Sequence, residues 1–295
     1  MGVRADAART AVAGAARSVD VSRRSSRGRR RLTCGVIASG RPGRDTRTVT
    51  HPPVLLLHGL FSRPSLMRPW ASVLGDAGFT CHVPALPGRD PSDDAVLSRT
   101  GIAEMVDVAL AAYDGIGEPA VVVGHSLGGL LAQKIAAARQ PSALVLLASV
   151  PPGVLWPHVR TLPAFVPSLA SVATGRPFLP SPSVMRAVPL ATLPAEEQDR
   201  LIPGLVRDSG RVFRELMLGA PVVRVPAADV SCPVLCVSAG QDRNVAPWMS
   251  RRLAARYRAQ HQIHPRLPHW IIAESALAQV APPVLAWLRA ALAPG

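Results

Sequence analysis

A Gly-x-Ser-x-Gly motif runs from Gly124 to Gly128 and places Ser126, a candidate nucleophile, at its centre. Three valines at 121–123 precede the motif and a segment rich in Leu and Ala follows it, which predicts a strand, a sharp turn and a helix. The two glycines let the backbone pass closely beside the serine and can adopt unusual φ values. The N-terminus of the helix would direct N–H groups and a positive dipole end at an oxyanion. The alternative is a glycine-rich turn with an incidental serine.

A serine hydroxyl needs a base to take its proton, and the base needs a carboxylate to orient it. In a parallel sheet such residues come from loops at the carboxyl ends of strands. Asp242 follows an apolar strand predicted at 233–238, and His269 follows a weak edge strand around Ile263. The chain order Ser, Asp, His is the order expected for this arrangement, so these two residues are the predicted partners of Ser126.

Other titratable residues could compete for these roles. His125 lies beside the serine on the turn, which should direct its ring away from the hydroxyl, and we expect it to pack and orient. His58 precedes Gly59 and is expected to brace the loop after the first strand. His261 and His264 remain alternative bases. Asp229 precedes its strand and would lie at the opposite end of the sheet.

Four motifs in order resemble those of α/β-hydrolases of the lipase and esterase type. The resemblance covers roughly residue 52 to the end of the chain. The motifs are His58-Gly59, the serine motif at 124–128, the segment Gly240-Gln241-Asp242-Arg243, and Pro268-His269-Trp270. The chain departs from the family pattern in two places. Only residues 46–50 could supply one of the two opening antiparallel strands, and the loop at 84–90 lacks the acidic residue that relatives often carry before the leucine and the Gly-His-Gly turn.

The resemblance implies a role for each site residue. Ser126 would be the nucleophile, His269 the general base and acid, and Asp242 the residue that orients the histidine. The backbone N–H groups of Leu60 and Leu127 would form the oxyanion hole. Neither a metal nor a cofactor is expected.

Strand and helix signals alternate along most of the chain and predict an α/β fold, a mostly parallel central sheet flanked by helices. Helices are expected at 65–77, 101–113 and 247–257, and a closing helix at 274–292 interrupted by Pro282 and Pro283. The alternation stops at 151–225, where apolar residues are punctuated by prolines. We predict a helical cap there, inserted between core segments 51–150 and 226–295; a loop region without a role in substrate choice is the alternative.

The formal net charge of +14 is concentrated at the N-terminus, where twelve arginines and three aspartates in residues 1–50 contribute +9. We expect a disordered basic tail there. An organelle transit peptide and a mis-set start codon both remain open as its explanation. With 4% aromatic residues the chain offers few platforms for stacking bases, so nucleic-acid binding is not expected.

Cellular context is predicted from the cysteines and from hydropathy. Cys232 and Cys236 fall in one apolar, strand-like run and are expected to be buried, inert thiols, which favours a reducing, cytoplasmic location. Since no run approaches the ~20 apolar residues of a membrane span, no integral membrane association is expected.

The leading hypothesis is hydrolysis of a carboxylic ester through an acyl-Ser126 intermediate. The apolar insertion favours a small-molecule substrate with an apolar acyl group. Thioesters, lactones and carbon–carbon bonds next to a carbonyl remain open, because the same three residues serve them. A non-catalytic ligand-binding protein of the same fold is the alternative from another class. The oligomeric state is not predicted.

Overall fold

The sheet of the computed structural model consists of six parallel strands within the described residues, 51–156 and 161–293. The strands are β1 (Val54–Leu57), β2 (Cys81–His82), β3 (Val121–His125), β4 (Ala143–Leu147), β5 (Val234–Ala239) and β6 (Gln260–His264). They lie side by side in the order β2-β1-β3-β4-β5-β6. The predicted α/β class is confirmed. The predicted tail at 1–50, including residues 46–50, lies outside the described residues.

The four central strands owe their position to uninterrupted apolar runs. Every residue of β1, β3, β4 and β5 is buried, as expected for strands covered on both faces. The two edge strands, β2 and β6, are either shorter or more exposed than the central strands. Of the strand predicted at 79–83, only Cys81 and His82 pair with β1, and β6 is partly exposed along its length.

Helices cover both faces of this sheet. They are α1 (Arg68–Asp76), α2 (Asp94–Arg99), α3 (Ile102–Asp114), α4 (Leu127–Arg139), α5 (Leu162–Phe165), α6 (Leu169–Thr174), α7 (Pro182–Ala187), α8 (Ala195–Leu201), α9 (Gly210–Leu218), α10 (Pro247–Arg256) and α11 (Glu274–Ala291). Buried side chains of α1 and α11 pack with one face of the sheet, and those of α3, α4 and α10 pack with the other.

Short helices fill the chain between β4 and β5, where the cap was predicted. Helices α5 to α9 and several 3₁₀ turns lie in this region, and prolines stand in the first turn of many of them. Proline lacks a backbone N–H, which the first turn of a helix does not need. Residues 151–225 are called the cap segment below. Its boundaries as a domain stay a prediction.

The structure differs from the sequence-based prediction in two helices. Helix α2 was not predicted; the carboxylate of Asp93 caps it by accepting hydrogen bonds from the N–H groups of Ala95 and Val96, at 2.9 and 3.1 Å. The closing helix α11 was expected to be interrupted, yet it continues through both prolines. Its residues Val284 and Leu288 are fully buried, and this burial opposes the cost of about 3 kcal/mol that an interior proline imposes.

Three cysteines within the described residues are free thiols. Burial raises the pKa of Cys236 to about 12 and those of Cys81 and Cys232 to about 11, so all three stay protonated near neutral pH. As for membranes, none of the helices in the described ranges is long and apolar enough to span one.

We expect Leu56→Ala to lower the free energy of unfolding by about 2–5 kcal/mol, because this side chain is fully buried in β1. Ile263→Ala is the matched control, since Ile263 is 49% exposed on β6 and its truncation should cost about 1 kcal/mol or less. Urea denaturation of the two variants measures both values. Equal losses would contradict the assignment of β1 to the core and β6 to the edge.

Candidate active site

Ser126 lies between the last residue of β3 and the first residue of α4 with a strained backbone. Its φ of 54° and ψ of −118° are unusual for a residue with a side chain. Three hydrogen bonds hold this conformation. The N–H of Ser126 donates to the carbonyl of Leu147, and its own carbonyl accepts from the N–H groups of Gly129 and Val150, each at 3.0 Å. The hydroxyl is thereby fixed at the carboxyl end of β3.

The glycines of the motif are required for close approach and not for their φ values. A Cβ on Gly124 would overlap the backbone of Gly128, and a Cβ on Gly128 would overlap the carbonyl of Leu57. Neither glycine has a φ in the left-handed region. The unusual φ that the motif led us to expect at a glycine is found at Ser126 instead.

The three predicted catalytic side chains form one hydrogen-bonded chain. The Ser126 hydroxyl lies 2.9 Å from Nε2 of His269, and Nδ1 of His269 lies 2.7 Å from Oδ2 of Asp242. The other carboxylate oxygen, Oδ1, accepts hydrogen bonds from the N–H groups of Asn244 and Val245, both at 2.8 Å. All three side chains are buried. The loops after β3, β5 and β6 therefore bring the predicted residues together.

The segment at 59–61, called the oxyanion loop below, passes directly beside the serine. A Cβ on Gly59 would lie 2.8 Å from Cβ of Ser126. Leu60 lines the same cavity as Ser126, and Leu127 is the first residue of α4, where backbone N–H groups have no partner within the helix. This arrangement fits the predicted oxyanion hole, whose two donors stay a prediction.

The neighbouring histidines, His58 and His125, hold backbone. Nε2 of His125 donates to the carbonyl of His269 at 3.0 Å. His58 donates through Nδ1 to the carbonyl of Gly59 at 3.2 Å and accepts through Nε2 from the N–H of Leu86 at 3.4 Å. Burial lowers the pKa of both rings to about 3, so both are neutral near pH 7. These contacts agree with the expected packing and bracing roles.

The alternative acids and bases lie elsewhere. Nε2 of His261 pairs with the hydroxyl of Ser238 at 2.8 Å, within the sheet. His264 is the last residue of β6, and the exposed Asp229 belongs to a short turn before β5. The histidine hydrogen-bonded to Ser126 is His269.

A cavity of about 660 Å³, including space open to solvent, adjoins Ser126 and His269. Within the described residues, the cap segment contributes a wall of apolar side chains. That wall consists of Leu155, Phe165, Pro180, Val184, Met185, Pro189, Phe213 and Met217. Among the described lining residues, Asn244 is the one polar residue outside the serine motif and His269, and sequence reasoning did not single it out.

Sequence reasoning also missed a buried ion pair behind the oxyanion loop. Arg89, in the loop after β2, contacts Asp208 of the cap segment at 2.6 Å, and neither side chain has any exposed surface. No periodicity or motif relates these residues, which are separated by 119 positions. The only signal was the unusual sequence of the loop at 84–90, which contains Arg89.

No group of three or more metal-ligating side chains, counted over the described ranges, is arranged to hold a metal ion.

Comparison with known proteins identifies the family of the chain. The chain is similar in structure to a methylesterase from Arabidopsis (17% identity, TM-score 0.60, 82% of this chain and 99% of that one). It is also similar to a monoacylglycerol lipase from Paleococcus ferrophilus (20%, 0.61, 81% and 94%) and to an extracellular alpha/beta-hydrolase from a Paenibacillus species (11%, 0.63, 83% and 100%). At these identities the likeness shows a shared fold. No curated protein sequence matches the chain significantly. The model of the alpha/beta hydrolase family matches residues 54–282, and the chain therefore belongs to that family.

Proposed function

We propose that this protein is a serine hydrolase that cleaves a carboxylic ester with an apolar acyl group through an acyl-Ser126 intermediate. The observation that carries the proposal is the hydrogen-bonded chain from Ser126 through His269 to Asp242, which opens onto an apolar cavity. A nucleophile paired with a base, and a base oriented by a carboxylate, is the arrangement that acyl transfer requires.

In the first half of the reaction, the Ser126 hydroxyl attacks the ester carbonyl and transfers its proton to Nε2 of His269. Asp242 keeps the proton of Nδ1 on the far side of the ring, so that Nε2 is free to accept. The carbonyl oxygen becomes negatively charged and accepts hydrogen bonds from the N–H groups of Leu60 and Leu127. Each such donor is typically worth ~10² to 10³ in rate. The alcohol leaves with the proton held by His269.

In the second half, a water molecule takes the place of the alcohol. His269 removes one proton from this water, which attacks the acyl carbonyl, and the same oxyanion donors stabilise the second tetrahedral intermediate. Collapse of the intermediate returns the proton to Ser126 and releases the carboxylic acid.

The cavity supports a neutral, apolar acyl group. Within the described residues, its lining contains no Arg, Lys, Asp or Glu. A charged acyl chain would lose its hydration there without gaining an ionic partner, which is costly. The structurally similar methylesterase and monoacylglycerol lipase are ester-cleaving enzymes by name, which is consistent with this substrate class.

The first prediction concerns dependence on the nucleophile. We expect wild-type protein to hydrolyse one or more p-nitrophenyl esters in a series from acetate to palmitate, and Ser126→Ala to lose about 10⁶-fold in kcat because no nucleophile remains. Ser238→Ala is the matched control. It removes a buried serine that also pairs with a histidine, His261, but lies outside the cavity, and it should keep full activity.

Three outcomes would contradict the proposal. Turnover by Ser126→Ala at the wild-type rate would reject the mechanism. A folded wild-type protein that cleaves no ester would reject the substrate class, and activity on thioesters, lactones or carbon–carbon substrates would then replace it. Tight binding of an apolar ligand without consumption would favour the non-catalytic alternative.

The second prediction concerns acyl length. Phe213 lines the cavity and its ring packs against those of Phe165 and Phe178, with centroids 5.7 and 5.6 Å apart. Phe213→Ala should therefore lengthen the space and shift the optimum of kcat/KM in the ester series towards longer acyl chains. Leu218→Ala, on the same helix but 73% exposed, should leave the profile unchanged. If kcat/KM depends on acyl length in the same way in both variants, the acyl group does not bind beside Phe213.

A further inference from the structure

The cap segment holds the oxyanion loop by its backbone. The N–H of Phe61 donates to Oδ2 of Asp208 at 2.8 Å, and the carbonyl of Phe61 accepts from the N–H of Val206 at 3.0 Å. Both backbone groups of Phe61 are thus bound to one short stretch of the cap segment. Phe61 has a φ of 58°, a left-handed value that is unfavourable for a residue with a side chain. Such a conformation persists only where its surroundings impose it.

Asp208 is itself held on several sides. Its two carboxylate oxygens both lie 2.6 Å from one terminal nitrogen of Arg89, and Oδ1 also accepts from the N–H of Ser209 at 2.8 Å. Its backbone exchanges two hydrogen bonds of 2.9 Å with Phe178, whose ring packs edge-on against that of Phe61. A buried carboxylate with this many partners has little freedom to move.

Removing the two charges of this ion pair from water costs free energy of desolvation. Both side chains are fully removed from water, and a buried pair of this kind is often no more stable than two apolar residues of the same volume. Breaking it by removing one partner leaves an uncompensated charge. Arg89 holds the carboxylate of Asp208, and that carboxylate accepts the hydrogen bond from the N–H of Phe61.

We infer that Asp208, held by Arg89, is a positioning residue for the oxyanion hole, so that a competent hole forms only when the cap segment is docked on the oxyanion loop. The Phe61 N–H belongs to the same peptide unit as the Leu60 carbonyl. Fixing that unit fixes the backbone of Leu60 on its C-terminal side and so limits the directions in which the Leu60 N–H can point. Asp208 does not line the cavity and acts only through the loop. This inference rests on the proposed function.

The test is Asp208→Asn, which keeps the size of the side chain. The two carboxylate oxygens of Asp208 accept from the N–H groups of Phe61 and Ser209, whereas an amide has one acceptor oxygen. One of these two N–H groups therefore loses its acceptor and faces the NH₂ group of the amide instead. We expect kcat for the best p-nitrophenyl ester to fall about 10²-fold, the typical effect of losing one oxyanion donor, while KM changes less than about threefold. The affinity for an alkyl trifluoromethyl ketone, which mimics the tetrahedral intermediate, should fall in parallel with kcat.

Glu197→Gln is the matched control. Glu197 is another buried carboxylate of the cap segment, but it binds the backbone N–H and hydroxyl of Ser275 at the start of α11. This variant also disturbs a contact between the cap segment and the core, and it should keep kcat and inhibitor affinity within about twofold of wild type. If Asp208→Asn does not fold, the double variant Arg89→Met/Asp208→Leu replaces the ion pair with apolar side chains and should show the same loss of kcat.

The outcomes separate the two proposals. Suppose that the wild type hydrolyses esters through Ser126. If Asp208→Asn or the double variant then has the same kcat and inhibitor affinity as Glu197→Gln, this inference alone is overturned. A loss confined to KM would also overturn it, because the oxyanion hole acts in the transition state. Failure of the wild type to hydrolyse any ester through Ser126 would overturn the proposed function and this inference with it.

Discussion

The left-handed backbone of Ser126 is the constraint on which the site depends. A residue with a side chain adopts this conformation only where its neighbours leave no alternative. Here β3 and α4 fix the chain on either side, three backbone hydrogen bonds hold the residue itself, and Gly124 and Gly128 bring β1, β3 and α4 closer together than any side chain would allow. The result is a hydroxyl that stands clear of the sheet, within hydrogen-bond distance of His269.

The parallel sheet supplies the remaining geometry. Because all six described strands run the same way, the loops after β1, β3, β5 and β6 open at one edge, and each contributes one part of the site. Asp242 is anchored by two backbone N–H groups, and His269 is held in turn by Asp242 and by His125, which binds its carbonyl. The cap segment then closes the cavity with apolar side chains and holds the oxyanion loop through Asp208.

Local sequence patterns predicted those parts of the structure that local physics determines. Short apolar runs such as that of β4 favour buried strands, and the Gly-x-Ser-x-Gly motif is typical of a strand, a turn and a helix. The partners Asp242 and His269 could be chosen because the rule for parallel sheets restricts catalytic residues to a few loops. Tertiary contacts decided the rest. Helix α11 continues through Pro282 and Pro283 because its buried face is held against the sheet, and no short-range pattern relates Arg89 to Asp208.

Covalent labelling tests most directly whether Ser126 is a nucleophile activated by His269. Wild-type protein and His269→Ala would be incubated with an alkyl fluorophosphonate, in which the serine oxygen displaces fluoride from phosphorus, and then analysed by intact-mass and peptide mass spectrometry. We predict a single phosphonyl group on Ser126 of the wild type and a greatly slowed reaction in His269→Ala. An unlabelled wild type, a label on another residue, or equal labelling rates in the two proteins would contradict it.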